Sequence, residues 1–162
     1  RGRAARLARP PAPRVFFLAQ RPYLSGGTLR EQVAYPQWDA SLLRELDDAR
    51  LRGLFAEAGL EDLWEAHWHE LDAAGVPWAD VLSLGEQQRL QFCRLFWHHH
   101  WWRRHGDGLD PLRGFFAVLD ESTASMDTAS ESRVYRACCQ RRIGLLSVAH
   151  RPTVIQFHSK VL

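Results

Sequence analysis

Asp120 and Glu121 stand side by side at the end of an apolar run, Phe115-Phe116-Ala117-Val118-Leu119. A buried strand that delivers two adjacent carboxylates to its C-terminal end suits metal-assisted nucleotide hydrolysis. One carboxylate holds the coordination shell of a Mg²⁺, and the other orients or deprotonates a water. Side chains alternate along a strand, so one acid can face the metal and its neighbour the water. The stretch Leu82-Ser83-Leu84-Gly85-Glu86-Gln87-Gln88-Arg89 is the second chemically suited feature. Ser83 and Glu86 have the spacing of a capping box, so a helix is expected to start there. Free backbone N–H groups and the positive dipole end make such a start a ready phosphate site. A well-capped helix and nothing more is the other reading. Both can hold together, because a hydroxyl can accept from its own helix and still donate to a phosphate oxygen. Two further polar residues close apolar runs: Gln20 after Val15-Phe16-Phe17-Leu18-Ala19, and His150 after Leu145-Leu146-Ser147-Val148-Ala149. Open α/β sheets gather their ligand groups at the C-terminal ends of strands.

The elements that must position these groups alternate between strand and helix. Val15 to Leu18 reads as a strand buried on both faces, Phe115 to Leu119 as a second buried strand, and Ile143 to Val148 as a third. Residues 21–27 are punctuated as a loop. Thr28 and Glu31 again have capping-box spacing and predict a short helix. Ser41 to Ala58 reads as one helix with Leu42, Leu43, Leu46, Leu54 and Phe55 inward, stopped by Gly59. Glu61 to Glu70 adds a Trp-rich helical piece. In the helix opened by Ser83, the residues Leu90, Cys93, Phe96 and Trp97 fall at core spacing. Thr128 to Arg141 is expected to be a helix with Val134, Ala137 and Cys138 inward.

Composition sets outer bounds. The chain has 162 residues, 46% of them hydrophobic, enough for one domain with a real core. A net charge of +2 with 25% charged residues argues against a nucleic-acid binder built on a basic face. Basic residues crowd the start (Arg1, Arg3, Arg6, Arg9, Arg14), and residues 1–13 read as a disordered basic lead-in, with a polybasic membrane contact as the alternative. Three cysteines, two of them neighbours at Cys138-Cys139, do not make a disulfide framework, so a reducing compartment is expected. No run approaches the ~20 apolar residues of a membrane helix, and no signal peptide is visible. Any membrane role is therefore expected to rest on another segment or subunit.

Histidine clusters invite a metal reading that helix geometry opposes. His67 and His69 lie two apart, and His98-His99-His100 are consecutive, so neither set shares a helix face. The first pair reads as surface or semi-buried. The stretch from His98 to Pro111 reads as an exposed insertion loop or retained non-native sequence, tolerable because longer surface loops carry a modest closure cost.

The stretch from Leu82 to Arg89 resembles the signature motif of ATP-binding-cassette (ABC) ATPases, and Phe115 to Glu121 resembles their Walker B strand. Gln20 sits where that family has its Q-loop glutamine. Ser125-Met126-Asp127 resembles the D-loop and His150 the switch histidine. The elements come in the family's order and cover nearly everything after Arg14. Gly27-Thr28-Leu29-Arg30-Glu31 is similar to a segment of ABC exporters. Trp78-Ala79-Asp80-Val81-Leu82-Ser83 and Phe157-His158 resemble the subfamily D half transporters, which include peroxisomal fatty-acyl and lysosomal cobalamin carriers and bacterial relatives.

The resemblance implies a fold and a site. The fold is α/β, a P-loop NTPase (RecA-like) ABC ATPase core with an inserted helical subdomain at about 37–112 that carries the insertion 98–111. No Gly-x-x-x-x-Gly-Lys-[Ser/Thr] occurs in the sequence, so residues 14–162 are expected to be a partial, N-terminally truncated domain. By the resemblance, Glu121 is the general base and His150 positions the γ-phosphate. Asp120 and Gln20 serve Mg²⁺, while Ser83, Gly85 and Glu86 meet the nucleotide of an opposing subunit, and Asp127, in the D-loop, joins the nucleotide- and Mg²⁺-binding set. ATP and Mg²⁺ are the implied cofactors. A second nucleotide-binding domain and a transmembrane domain are the implied partners, without nucleic acid, on the cytosolic face of a peroxisomal or other membrane. Two departures stand out. Ser83 and Asp120 lie 37 positions apart, longer than the family usually has, and the D-loop reads Ser-Met-Asp. A non-hydrolysing ABC-like dimerisation module is the alternative, and a soluble ABC ATPase of the DNA-repair or translation type is a third reading.

Overall fold

In a computed structural model that describes residues 15–36, 40–105 and 114–161, three parallel strands form one sheet in the order β1-β2-β3. They are β1 (Val15–Leu18), β2 (Phe116–Asp120) and β3 (Gly144–Val148). The register pairs Leu18 with Leu119 and Asp120 with Val148. The three chains thus leave the sheet at one end and nearly one level. That single fact decides where the site lies.

Seven helices among the described residues surround this sheet: α1 (Leu29–Ala34), α2 (Ala40–Glu45), α3 (Asp48–Ala58), α4 (Glu61–His67), α5 (Trp78–Val81), α6 (Leu84–His105) and α7 (Thr128–Gln140). Both predicted capping boxes form. Thr28 Oγ1 accepts from Glu31 N at 3.1 Å while Glu31 Oε2 accepts from Thr28 N at 2.7 Å. Ser83 and Glu86 make the same exchange at 3.3 and 2.9 Å. Gly59 ends α3 in the left-handed region at φ 75°, where a Cβ would be strained. The expected helix over Ser41–Ala58 is instead two. Asp47 caps α3 by accepting from Arg50 N at 2.8 Å, because an Asp competes for backbone donors more effectively at a cap than in a helix interior.

The core lies on one side of the sheet. Leu18, Ala117 and Leu119 are buried there, with α6 packed on β1 and α7 on β3. Leu90, Cys93, Phe96 and Trp97 are fully buried on α6, and Val134, Ala137 and Cys138 are buried on α7, as their spacing predicts. The expectation that β1 and β2 are covered on both faces is not met. Val15, Phe17, Phe116 and Leu146 are each half or more exposed, because among the described residues no element packs on that second face.

The stretch read as an exposed insertion also differs. Through His105 it is the last part of α6, and only residues 106–111 of it lie outside the described residues, as do the basic lead-in at 1–13 and Leu162. His98 and His99 are buried. His98 Nε2 lies 2.8 Å from the Tyr35 carbonyl oxygen, and the His99 ring stands edge-on to Phe115 at 5.4 Å. Imidazole and indole rings carry apolar faces, so a run of His and Trp can form a helix end against a core. The three imidazoles diverge around the helix, His100 stacking on Trp97 at 5.7 Å.

Burial of the neutral imidazole makes this end of the fold acid-sensitive. Desolvation, reinforced by Arg141 and Arg103, holds the His99 imidazole down at about 4, and burial lowers His98 and His100 as well. Between that value and the unfolded one near 6.5, the unfolded chain binds a proton that the folded chain refuses. Stability is therefore full above about pH 6.5 and falls as pH drops towards 4, by on the order of 1–2 kcal/mol for His99 once solvent screening is discounted. Urea midpoints measured from pH 7.5 to 4.5 are expected to fall more steeply for the wild type than for His99→Phe. Parallel curves would refute the assignment.

Candidate active site

Parallel pairing brings Gln20, Glu121 and His150 together just beyond the C-terminal ends of β1, β2 and β3. Gln20 Nε2 donates to Glu121 Oε2 at 2.8 Å, and His150 Nε2 stands 2.7 Å from Glu121 Oε1. Both carboxylate oxygens of Glu121 are thus engaged, one by each flanking strand's terminal group. The His150 side chain is 84% exposed, so its remaining edge is open to a ligand. Glu121 itself takes φ 45°, left-handed for a residue with a Cβ. Such backbone costs on the order of 1–3 kcal/mol and persists where the surroundings over-determine it. Here the Glu121 N–H bonds to the Val148 carbonyl at 2.9 Å, and its own carbonyl accepts from Ala124 N at 3.1 Å.

That turn modifies the alternation expected for the acid pair. β2 ends at Asp120, whose exposed side chain shares the open sheet face with Phe116 and has no partner among the described residues. The left-handed step then throws Glu121 towards Gln20 and His150. Glu121, Thr123, Glu131, His150 and Arg151 help to line a cleft of about 210 Å³.

The other predicted site residues do not touch this trio. Ser83 and Glu86 are engaged with each other at the start of α6, the Ser83 hydroxyl donating to Glu86 Oε2 at 2.6 Å. Gly85 lies against the loop after β2: a Cβ there would come within 3.0 Å of the Ser125 carbonyl oxygen, tighter than a side chain is normally placed. Asp127 caps α7, accepting from the Ser130 amide at 2.9 Å and hydroxyl at 2.6 Å. Those bonds draw its carboxyl down to about 2.

Known proteins are similar to this chain along most of its length. The lysosomal cobalamin transporter of Mus musculus is 38% identical over 158 residues, covering 91% of this chain and 22% of the transporter. ABC transporter D family member 1 of Arabidopsis thaliana is 34% identical over 148 residues, covering 91% of this chain and 10% of that protein. An uncharacterized ABC transporter ATP-binding protein of Synechocystis is 36% identical over 156 residues, with 96% of this chain and 21% of that protein covered. The chain is a homologue of the subfamily D ABC transporters. It spans about a fifth of the length of the first two of these relatives' kind, the mouse and human cobalamin transporters. No protein-family model matches the chain.

Among the residues that set the geometry of this subfamily D homologue, several escaped sequence reasoning. Gln88, Gln91, Arg94 and His98 are all buried on α6. Gln88 Nε2 donates to the Gln20 carbonyl at 3.0 Å, and Gln91 Nε2 to the Ala19 carbonyl at 2.9 Å. Arg94 donates to the carbonyls of Gln32 and Tyr23 at 2.5 and 2.6 Å. A polar stripe of period three to four therefore fastens α6 to the segment around Gln20. Its signal was in the sequence, as polar residues recurring at helical spacing within an apolar helix. On the other side, buried Glu131 accepts from the Thr123 and Thr153 hydroxyls at 2.8 and 2.6 Å. Arg151, next to His150, donates to the Met126 and Ala124 carbonyls at 2.7 and 3.0 Å. The Phe157-His158 pair packs on α7, Phe157 stacking on Tyr135 at 5.2 Å and His158 Nε2 lying 2.9 Å from Ser147 Oγ.

No helix among the described residues is long and apolar enough to cross a membrane.

Proposed function

We propose that this chain is part of the ATP-hydrolysing engine of an ABC half transporter, with a P-loop NTPase core, and that Glu121 activates the water that attacks the γ-phosphate. The observation that carries this reading is the convergence of Gln20, Glu121 and His150 at the ends of three parallel strands. Open parallel sheets bind ligands at that edge. Glu121 acts as the base, His150 holds it on one side and offers its free edge to the γ-phosphate, and Gln20 holds it on the other. Hydrogen bonds to both carboxylate oxygens orient the group before the water arrives, which is how positioning lowers a barrier without covalent chemistry.

The donor set fits Mg²⁺. Asp120 presents an exposed carboxylate without a partner among the described residues, and the Gln20 side chain, one amide N–H donated to Glu121, has no bond to its oxygen among them. Both are hard oxygen ligands of the kind that ion takes together with phosphate. When bound with ATP, Mg²⁺ supplies neutralisation of the phosphate charge. Ser83, Gly85 and Glu86 meet the nucleotide of a second such domain. The Ser83 hydroxyl, now donating to Glu86, turns outward to do so, and Asp127 stands at the same junction as part of the D-loop. The inserted helical subdomain, expected at about 37–112, is assigned over its described residues 40–105; a transmembrane domain is the remaining partner, and the site works at the cytosolic face of a membrane.

ATP titration of the complete gene product, followed by calorimetry, tests the reading. Saturation is expected below about 1 mM, within the usual range for enzymes. No binding at millimolar ATP would favour the non-hydrolysing dimerisation module instead.

A further inference from the structure

We propose that Gln88 is a positioning residue for hydrolysis, mechanically joining the segment that carries Gln20 to the loop that follows Glu121. This rests on the hydrolytic reading above. The Gln88 side chain is fully buried and both ends of its amide are used in opposite senses. Its Nε2 donates to the Gln20 carbonyl at 3.0 Å, and its Oε1 accepts from the Ser125 amide at 2.9 Å.

These two bonds close a ring around the base. The side chain of Gln20 is on Glu121 at 2.8 Å, while its backbone is on Gln88. Ser125 lies in the turn that starts at Glu121, which the bonds from Ala124 N to the Glu121 carbonyl (3.1 Å) and from Met126 N to the Thr123 carbonyl (3.0 Å) hold together. A shift of Gln20 away from Glu121 therefore pulls on Gln88 and, through it, on Ser125. Gln88 also sits just past the first turn of α6, where Gly85 meets the Ser125 carbonyl. The capped Ser83 turn is thereby tied to the same ring.

Gln91 supplies the contrast. It too is buried, and its Nε2 donates to the Ala19 carbonyl at 2.9 Å, yet no bond joins it to the loop after Glu121. Gln91 fastens helix to strand, whereas Gln88 alone of the two spans both loops. Met at either position keeps the volume and removes the hydrogen bonds.

The experiment measures kcat and KM for ATP, with thermal unfolding alongside, on the complete gene product and its Gln88→Met, Gln91→Met and Glu121→Gln variants. Gln88→Met is expected to lower kcat about tenfold or more with KM changed less than about twofold, because a misplaced base loses transition-state rather than ground-state contacts. Gln91→Met is expected to lower the melting temperature about as much as Gln88→Met does, while its kcat stays within about twofold. Equal effects of the two on kcat, or none from Gln88→Met, would overturn the proposal. If Gln88→Met does not fold, Gln88→Glu keeps the acceptor for Ser125 and deletes the donor to Gln20. It should show the same fall in kcat, and a normal kcat would sink the coupling. Full activity of Glu121→Gln would instead remove the hydrolytic reading itself, and an inactive Glu121→Gln beside a normal Gln88→Met would remove only the coupling.

Discussion

Glu121→Gln is expected to lower steady-state ATP hydrolysis by the complete gene product about a hundredfold or more, within the usual contribution of a general base. ATP affinity should stay nearly constant, because the substitution changes no volume and removes no contact that the nucleotide makes before reaction. The reason lies in the hydrogen-bond inventory. A carboxylate accepts from Gln20 Nε2 and His150 Nε2 at once, at 2.8 and 2.7 Å. An amide has one accepting oxygen, so it can satisfy one of those donors and presents N–H to the other. It also has no basicity for the water's proton. Phosphate release measured at saturating ATP is the test. An undiminished rate would refute the base assignment.

Arg94→Met is expected to cost about 3–4 kcal/mol of unfolding free energy, the scale on which a buried polar network loses its charged member. Arg94 is almost wholly buried with no carboxylate bonded to it among the described residues. Its charge is spread over backbone instead: Nε on the Gln32 carbonyl at 2.5 Å, Nη1 on that of Tyr23 at 2.6 Å and Nη2 on Gln32 Oε1 at 3.2 Å. The guanidinium lies 5.2 Å from the centroid of the Tyr35 ring. Burial draws it down only to about 10, so it stays charged at neutral pH. Removal leaves these oxygens without their donor inside the fold. Gln32 also exchanges bonds with Ser25, at 3.1 and 2.9 Å, so the loop after Gln20 loses its internal frame as well. Thermal unfolding should show a fall of about 10 °C for a chain of this size. Lysine is not expected to restore stability, since it lacks the planar fork that reaches three acceptors. A loss below about 1 kcal/mol would mean that the network is not what holds this segment.

Near neighbours in sequence decided a large part of this molecule. Thr28 with Glu31 and Ser83 with Glu86 each carry a helix start in residues three positions apart, and Gly59 carries a helix end in its missing Cβ. Such signals need no tertiary context, because donor, acceptor and backbone shape all lie within one turn. The apolar runs likewise announced three strands, and the order of polar residues around them was enough to suggest the ABC ATPases, with which the subfamily D relatives agree.

Tertiary structure decided what depends on residues far apart. Gln20 and Glu121 are 101 positions apart, and only a parallel register sets them at one sheet edge within hydrogen-bond reach. The left-handed turn at Glu121 could not be read from an Asp-Glu pair, since pattern arguments carry strand alternation past the strand's end. His98 and His99, polar by type, are buried because Tyr35 and Phe115 happen to meet them. Gln88 and Arg94 recur at helical spacing in the sequence, but only the carbonyls of Gln20, Tyr23 and Gln32 brought against them make that stripe a buried one. Sequence settles a polar side chain's fate when its partner is a turn away. When the partner comes from another element, the cost of burying it unpaired makes the fold, and not the residue, the deciding term.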